Sequence, residues 1–255
     1  MTPPPHFLII GAQRCGTHSL RRWLGESSAV ELPRAKEIHF FDLKFDRGLE
    51  WYRSRFPQRR GAITGEASPY YVFHPLAPRR IGELLPDVQL IVLLRDPVER
   101  AVSHYHHSVA KGFEPLELSE ALDREPERLA GEADRIVAEP AYRSAPHRNF
   151  SYQARGLYAD QLERWRSLFP ADQLLAVHSE RLFARPREQT GRVCEFLGIP
   201  PIELADAPAY GGRNYAPAPP QVEKRLRDRF AAPNERLYEL VGDDFGWNRQ
   251  PEPGL

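Results

Sequence analysis

The residues with the clearest chemical potential form a glycine loop, GAQRCGTHS, at 11–19. An apolar run precedes this loop and a helical pattern follows it, so the order is strand, loop and helix. Glycines let the backbone curl until successive N–H groups point inward, and the next helix adds the positive end of its dipole. The pattern therefore predicts a site for phosphate or sulfate groups, although an ordinary tight turn would share it.

The cations near this loop differ from those of a Walker nucleotidase. Thr17 stands where a Walker loop carries its lysine, and the loop's own cation is Arg14. The next buried apolar run ends in Arg95, where a Walker enzyme would need an acidic residue to hold Mg²⁺. Two separate cations suit a ligand with two separated anionic groups and no metal, so the pattern disfavours ATP chemistry.

The composition narrows the classes of partner. Among 255 residues, 35 basic and 35 acidic side chains cancel, so no net field recruits nucleic acid or an anionic membrane. Cys15 and Cys194 give neither a disulfide framework nor a metal-ligand pattern. The longest aliphatic run, 90–94, is too short for a membrane span, and the first residues do not resemble a secretory signal. We expect a soluble cytoplasmic protein that needs no metal.

The elements that must position these residues alternate between strands and helices. Short apolar runs predict buried strands at 6–10, 89–94 and 174–178. Apolar residues at helical spacing predict helices after the glycine loop and at 78–85, 98–110, 151–169 and 187–197, then two short helices within 222–241. This alternation predicts an α/β fold in which helices flank a mostly parallel central sheet, a P-loop-like three-layer sandwich. We expect one domain over 1–255, in which 112–148 covers the functional edge of the sheet.

Taken together, these motifs resemble the sulfotransferases that use 3′-phosphoadenosine 5′-phosphosulfate (PAPS), especially the heparan sulfate and bacterial carbohydrate branch. In that family a Gly-x-x-[Lys/Arg]-x-Gly-Thr loop cradles the 5′-phosphosulfate. The resemblance implies donor contacts from Gln13, Arg14, Cys15, Gly16, Thr17, His18 and Ser19. The segment LLRDPVERAVSHY resembles the motif that binds the 3′-phosphate, which implies that Arg95 and Ser103 hold this group.

The segment KEIHFFD, at 36–42, resembles the catalytic motif of the same branch. The resemblance implies that Glu37 is the general base, that His39 orients Glu37 or contacts the acceptor, and that Lys36 lies near the acceptor. Asp42 would then hold His39 or Lys36. A carboxylate suits this role, because a hydroxyl is a poor nucleophile until its proton is removed. Alone, the segment favours a solvated loop with two aromatics in the core, but the two donor motifs favour the catalytic interpretation.

Three further segments resemble the branch less closely. GEASPYY, at 65–71, implies acceptor contacts from Ser68, Tyr70 and Tyr71, although Ala67 replaces the lysine of the branch. RGLYADQLERW resembles a segment that grips the adenosine, which places Arg155, Gly156 and Tyr158 near it. GGRNY resembles a late loop that closes on PAPS and aligns Gly212 and Arg213. The missing lysine and the neutral net charge favour an acceptor less anionic than heparan sulfate.

The resemblance therefore predicts in-line transfer of a sulfuryl group from PAPS to an acceptor hydroxyl on a carbohydrate or glycoconjugate, with PAP as the product. Glu37 would take the acceptor proton, while Arg14 and the loop N–H groups would stabilise the leaving oxygen. Two alternatives stay open. One is an atypical P-loop kinase or nucleotidase, for which we find no magnesium carboxylate and no compensating lysine. The other is a non-catalytic protein that binds PAP or PAPS.

Overall fold

The computed structural model describes residues 4–57, 61–204 and 215–249. Within these ranges five strands form one sheet, namely β1 Phe7–Gly11, β2 Val30–Glu31, β3 Ile63–Ala67, β4 Gln89–Leu94 and β5 Leu174–His178. Every neighbouring pair is parallel, and the order across the sheet is β2-β3-β1-β4-β5. β1 is therefore central, and its carboxyl end leads directly into the glycine loop.

Helices enclose this sheet. They are α1 Thr17–Leu24, α2 Phe40–Leu43, α3 Leu49–Arg53, α4 Ala77–Leu84, α5 Pro97–Ala110, α6 Leu118–Leu129, α7 Glu132–Ala138, α8 Ala145–Asn149, α9 Tyr158–Arg166, α10 Ser179–Ala184, α11 Pro186–Leu197 and α12 Pro220–Val241. Every residue of β1 is buried, although successive side chains point to opposite faces of a sheet. Both faces are therefore covered, which confirms the predicted three-layer α/β sandwich with a parallel sheet.

The predicted strands at 89–94 and 174–178 are confirmed with the same bounds, and the first predicted strand shifts by one residue to Phe7–Gly11. The sequence analysis missed β2 and β3. β2 has only two residues, and β3 reads ITGEA, in which a glycine and a glutamate interrupt the apolar pattern. Both strands are placed by pairing with their neighbours, which a local pattern does not report.

The predicted helix over 151–169 is wrong at both ends, because the observed helix α9 covers only Tyr158–Arg166. The buried carboxylate of Glu125 accepts hydrogen bonds from the backbone N–H groups of Gln153 and Ala154, both at 2.7 Å, so those groups are committed outside a helix. Leu168, expected on the buried side, is 51% exposed beyond the end of the helix.

The two short helices predicted within 222–241 are one helix, α12, which continues through Pro233. A proline inside a helix removes one backbone hydrogen bond, so the sequence favours a break there. Leu226, Phe230 and Leu237 are nonetheless all buried on one side of α12, which packs against α5 and α9. This shared burial holds the helix together across the proline.

Residues 112–148 form α6, α7 and most of α8. A second apolar cluster joins α5 to α6 and α12 through residues that include Val102, Leu122 and Leu226. Tyr152, in the same cluster, donates a hydrogen bond from its hydroxyl to the buried carboxylate of Glu114 at 2.8 Å. In the described ranges, no helix is both long enough and apolar enough to cross a lipid bilayer.

A close approach between β1 and β3 generates the first prediction. Gly65 pairs with Phe7, and a Cβ added at Gly65 would lie 2.4 Å from the fully buried Phe7 ring. We expect Gly65→Ala to lower the free energy of unfolding by about 1–3 kcal/mol, because the ring has no space into which to move. Urea denaturation of the purified variant measures this change.

Gly191 on α11 provides the matched control, because a Cβ there would meet no heavy atom within 4 Å outside its own helix. Gly191→Ala is expected to raise stability by roughly 0.5–1 kcal/mol, since alanine favours a helix more than glycine does. Equal effects of the two substitutions would contradict the packing argument for Gly65.

Candidate active site

The glycine loop is held in place from two neighbouring elements. The N–H of Ala12 donates to the carbonyl of Leu93 on β4 at 2.7 Å, and the hydroxyl of Ser179 on α10 donates to the carbonyl of Cys15 at 2.9 Å. Gly16 adopts a φ of 89°, which favours glycine, immediately before α1 begins. The first N–H groups of α1 have no acceptor within the helix, so this end of the helix suits an anion.

The cation of the loop is tied to α5. Arg14 also has a positive φ, of 73°, and its Nε donates to the hydroxyl of Ser103 at 2.9 Å. The resemblance pairs Ser103 with Arg95, but Arg95 instead contacts Glu99 at 3.1 Å and the Tyr215 hydroxyl at 3.4 Å. The structure thus connects the two donor motifs through Arg14 and Ser103.

Two residues expected to contact the donor form the floor of the loop. The side chains of Cys15 and Tyr158 are buried, and their sulfur and hydroxyl lie 3.8 Å apart. The Tyr158 hydroxyl also donates to the carbonyl of Arg95 at 2.9 Å. Burial raises the pKa of the Cys15 thiol to about 11, although the charge of Arg100 opposes the shift. These side chains shape the loop from below, and their expected contact with the donor stays a prediction.

Glu37, His39 and Asp42 form a hydrogen-bonded chain, as the KEIHFFD resemblance implies. The Nε2 atom of His39 lies 2.8 Å from Oε2 of Glu37, and its Nδ1 lies 2.7 Å from Oδ2 of Asp42. Asp42 is buried, whereas the Glu37 side chain is 33% exposed. The chain therefore runs from a buried acid to a carboxylate that solvent can reach.

The imidazole of His39 lies between the carboxyl groups of Glu37 and Asp42 and shares a hydrogen bond with each. Burial lowers the pKa of His39, but its hydrogen bonds to Asp42 and Glu37 outweigh burial and raise the pKa to about 9. Burial likewise raises the pKa of Glu37, yet the hydrogen bond and charge of His39 bring it below its ordinary value. At neutral pH the site therefore holds an imidazolium between two carboxylates, and Glu37 is ionised.

Residues of the GEASPYY segment lie beneath the loop that carries Glu37, His39 and Asp42 and support it. The buried carboxylate of Glu66 accepts hydrogen bonds from the hydroxyls of Ser68 at 2.7 Å and Tyr71 at 2.8 Å. Those hydroxyls in turn accept from the backbone N–H groups of His39 at 3.1 Å and Phe40 at 2.9 Å. Ser68 and Tyr71 are fully buried, so they position the loop that carries Glu37. Their expected contact with an acceptor stays a prediction.

Tyr70 is also buried, 5% exposed, and its hydroxyl lies 2.7 Å from Nδ1 of His147 in α8. Burial raises its pKa above the ordinary range, so the phenol is neutral. The Tyr70 hydroxyl thus has a partner inside the protein, and the expected contact of Tyr70 with an acceptor stays a prediction.

Glu37 and the start of α1 share one small pocket. Its walls are formed by Thr17, His18, Arg21, Lys36, Glu37, Ala67 and Pro69. The pocket joins the end of β3, the first turn of α1 and the loop that carries Glu37. The pocket brings together residues from three motifs, and the first and last of these residues are more than 45 positions apart in the sequence. Lys36, which is exposed, and His18 both line this pocket.

Two groups that lie at or beneath this site were not predicted from the sequence. Glu66 is buried under the loop that carries Glu37, and the charge of Arg148 helps to lower the pKa of Glu37. Arg155, which the resemblance placed near the adenosine, contacts the glycine loop. A glutamate inside a short strand was the one available signal for Glu66. Gly212 and Arg213 lie outside the described residues. Across the described ranges, no group of three or more His, Cys, Asp or Glu side chains is placed to hold a metal ion.

The comparisons with known proteins agree with this geometry. The sulfotransferase domain family matches residues 4–207 of the chain. The chain belongs to the sulfotransferase family. This sulfotransferase is 32% identical over 274 aligned residues to human heparan sulfate glucosamine 3-O-sulfotransferase 6, covering 95% of this chain and 73% of the relative. It is 26% identical to the membrane-associated sulfotransferase kil1 of Dictyostelium discoideum, covering 95% of this chain and 66% of that protein.

Solved structures support the same assignment. A sulfotransferase from Alicyclobacillus acidocaldarius superposes with a TM-score of 0.79 at 30% identity, covering 97% of this chain and 100% of that one. The sulfotransferase domain from the curacin biosynthetic pathway shares the fold, with a TM-score of 0.50 at 15% identity over 78% of this chain and 76% of that one. The enzyme is therefore a sulfotransferase with an α/β sandwich.

The imidazolium of His39 generates a prediction about pH. Because its pKa is raised from near 6.5 to about 9, its stabilising contribution is complete below pH 6.5 and is lost as pH rises through 9. We expect the difference in unfolding free energy between the parent protein and His39→Gln to shrink by up to about 1.4 kcal/mol per pH unit in that window. Urea denaturation at pH 6, 7.5 and 9 measures it.

Asp42→Asn is the companion variant in that series. It keeps the shape of the side chain but removes the buried charge that faces the imidazole. The pH dependence should therefore be much weaker in this background. A difference between the parent protein and His39→Gln that does not change with pH would refute the charged state of His39.

Proposed function

We propose that this sulfotransferase moves a sulfuryl group from PAPS to a hydroxyl of a glycan acceptor, with Glu37 as general base. The observation that carries the proposal is the shared pocket, in which Glu37 faces the first turn of α1. An in-line displacement needs a base on one side of the transferred group and stabilisation of the leaving oxygen on the other. The glycine loop with Arg14 and the Glu37 loop supply these two functions.

The donor residues fit the charges of PAPS. Its phosphosulfate suits the loop N–H groups and Arg14, and its 3′-phosphate suits Arg95, which lies at the end of the neighbouring strand β4. Ser103 would contribute through its bond to Arg14 as well as through its own hydroxyl. Arginine suits both positions because its planar fork matches phosphate and keeps its charge.

The chemical step can be written for the residues of this chain. Oε2 of Glu37 is engaged by His39, so Oε1 takes the proton of the acceptor hydroxyl. The acceptor oxygen bonds to sulfur as the bond between sulfur and the phosphate oxygen breaks. The negative charge then rests on PAP, where Arg14 and the first N–H groups of α1 stabilise it. The imidazolium of His39 keeps Glu37 ionised and oriented beforehand.

The acceptor is proposed from the charges beside Glu37. Lys36 and Arg148 both act on the Glu37 carboxylate, so a neighbouring acidic group of the acceptor would be attracted. These local cations outweigh the argument from the neutral net charge of the chain. The human relative that carries heparan sulfate glucosamine in its name supports a glycan as the class of acceptor. One domain over 1–255 and a cytoplasmic location stay predictions.

Replacing the proposed base tests the reaction. We expect Glu37→Gln to lower the rate of sulfuryl transfer by roughly 100-fold or more, because general base catalysis contributes that much. PAP affinity should stay close to that of the parent protein. Transfer of labelled sulfate from PAPS to a panel of glycans, including heparan sulfate oligosaccharides, measures the rate by mass spectrometry.

Glu26→Gln is the matched control, because Glu26 is an exposed carboxylate just beyond α1. This control should retain full activity. Wild-type turnover by Glu37→Gln would remove the base assignment. Tight PAP binding by the parent protein with no transfer to any glycan in the panel would favour the non-catalytic alternative.

Nucleotide choice distinguishes a sulfotransferase from an atypical kinase. Without Mg²⁺, we expect PAP at about 100 times its Kd to stabilise the fold by about 2.7 kcal/mol, as for any ligand that binds only the folded state. ADP and ATP, which lack the 3′-phosphate, should stabilise it far less. Thermal unfolding with each nucleotide measures the difference, and a larger effect of ATP with Mg²⁺ would support the kinase alternative.

A further inference from the structure

Arg155 connects the donor side of the site to the acceptor side. It lies in a short 3₁₀ turn at Ala154–Gly156, just before α9, and its side chain is buried. Its Nη1 donates to Oε1 of Gln13 in the glycine loop at 2.5 Å. Its Nη2 donates to the carbonyl of Arg148 at 2.8 Å and contacts that of His147 at 3.3 Å. One guanidinium thus bridges the glycine loop and the end of α8.

The guanidinium is held in a single orientation. Its Nε donates to the Ser151 hydroxyl at 2.7 Å, and its Cζ atom lies 4.7 Å from the centroid of the Tyr70 ring and 5.1 Å from that of the Phe73 ring. The Phe73 ring also stacks on His147 of α8, with centroids 4.3 Å apart. Since a guanidinium has five donors in a rigid fork, movement of Gln13 is passed to the same carbonyls that end α8.

Among the described residues, no carboxylate contacts the Arg155 guanidinium directly. Its hydrogen-bond partners there are a hydroxyl, a side-chain amide and backbone carbonyls. Burial lowers its pKa to about 9; Arg100 and Arg148 add to this shift, whereas Tyr70 and Glu125 oppose it. A buried cation without a carboxylate in direct contact is costly, so an anion in the adjacent loop offsets part of that cost.

The end of α8 is linked to Glu37 by charge. Arg148 is exposed, its charge acts on Glu37, and its own carbonyl is the one that Arg155 holds. The connection therefore runs from Gln13 through Arg155 to Arg148 and then to Glu37. Two of its four residues, Arg148 and Arg155, lie more than 100 positions from the glycine loop in the sequence.

From these contacts we propose that Arg155 is a positioning residue, which transmits occupancy of the glycine loop to the acceptor-side segment 145–151. This inference rests on the proposed function, because it takes PAP or PAPS as the ligand of the loop. A donor bound beside Gln13 restrains the guanidinium of Arg155. The guanidinium in turn restrains the end of α8 through its hydrogen bonds to the carbonyls there. The acceptor site is therefore better ordered when the donor is present.

Hydrogen–deuterium exchange with saturating PAP tests this coupling without an identified acceptor. In the parent protein we expect PAP to slow amide exchange both at 11–19 and at 145–151, the latter by about fivefold or more, as for a typical coupling between two sites. In Gln13→Ala and in Arg155→Lys, PAP should still protect 11–19 but should no longer slow exchange at 145–151. Lysine keeps the charge but not the fork, so it separates geometry from charge.

Arg148→Gln is the control, because it removes an exposed side chain and leaves the carbonyl that Arg155 holds. PAP should protect 145–151 in this variant as in the parent protein. Should Arg155→Lys fail to fold, Gln13→Ala decides the question alone, since it alters a partly buried side chain in the loop.

The possible outcomes separate this inference from the proposed function. Equal PAP-dependent protection of 145–151 in the parent protein and Gln13→Ala would overturn the role of Arg155 alone. Protection of 11–19 in the parent protein without any effect at 145–151 would do the same. Absence of PAP-dependent protection at 11–19 would overturn the donor assignment and the coupling together.

Discussion

The placement of the proposed base depends on one buried carboxylate, that of Glu66 at the end of β3. A carboxylate removed from water must be surrounded by hydrogen-bond donors, and Glu66 accepts hydrogen bonds from the hydroxyls of Tyr52, Ser68 and Tyr71. Its Oε2 also lies 3.4 Å from the backbone N–H of Ile38, within the loop that carries Glu37. Loss of these contacts would leave a buried carboxylate unsatisfied, so the loop is strongly held to the sheet.

The same principle explains why the site can keep Glu37 ionised at a partly buried position. The buried negative charge of Asp42 stabilises the imidazolium of His39, and the imidazolium stabilises the Glu37 carboxylate. On the donor side the charges are reversed. Arginines gather around the glycine loop, and Arg155 has only neutral direct partners among the described residues. An anionic donor bound at the loop would therefore balance positive charge that no directly contacting carboxylate of the described residues balances.

The fold could be predicted where a short apolar run or a helical spacing is sufficient. The strands β4 and β5 appear with their predicted bounds, because both are nearly continuous apolar runs. The short strands β2 and β3 escaped prediction, since pairing with neighbours places them. The start of α9 was predicted too early in the sequence. The backbone N–H groups of Gln153 and Ala154, which a helix would use, donate instead to the Glu125 carboxylate, which lies 28 and 29 positions before them.

For the site, residue types and short spacings were enough to identify a glycine loop with Arg14, a second cation at Arg95, and Glu37 beside a histidine and an aspartate. These features can be read from the sequence because the groups of each motif lie within one turn or loop. The tertiary structure was needed to show which side chains of these motifs are buried and which line the pocket. Ser68, Tyr71, Tyr158 and Cys15 belong to the motifs but are buried. Burial and long-range hydrogen bonds arise from packing of distant segments, and no local spacing reports them.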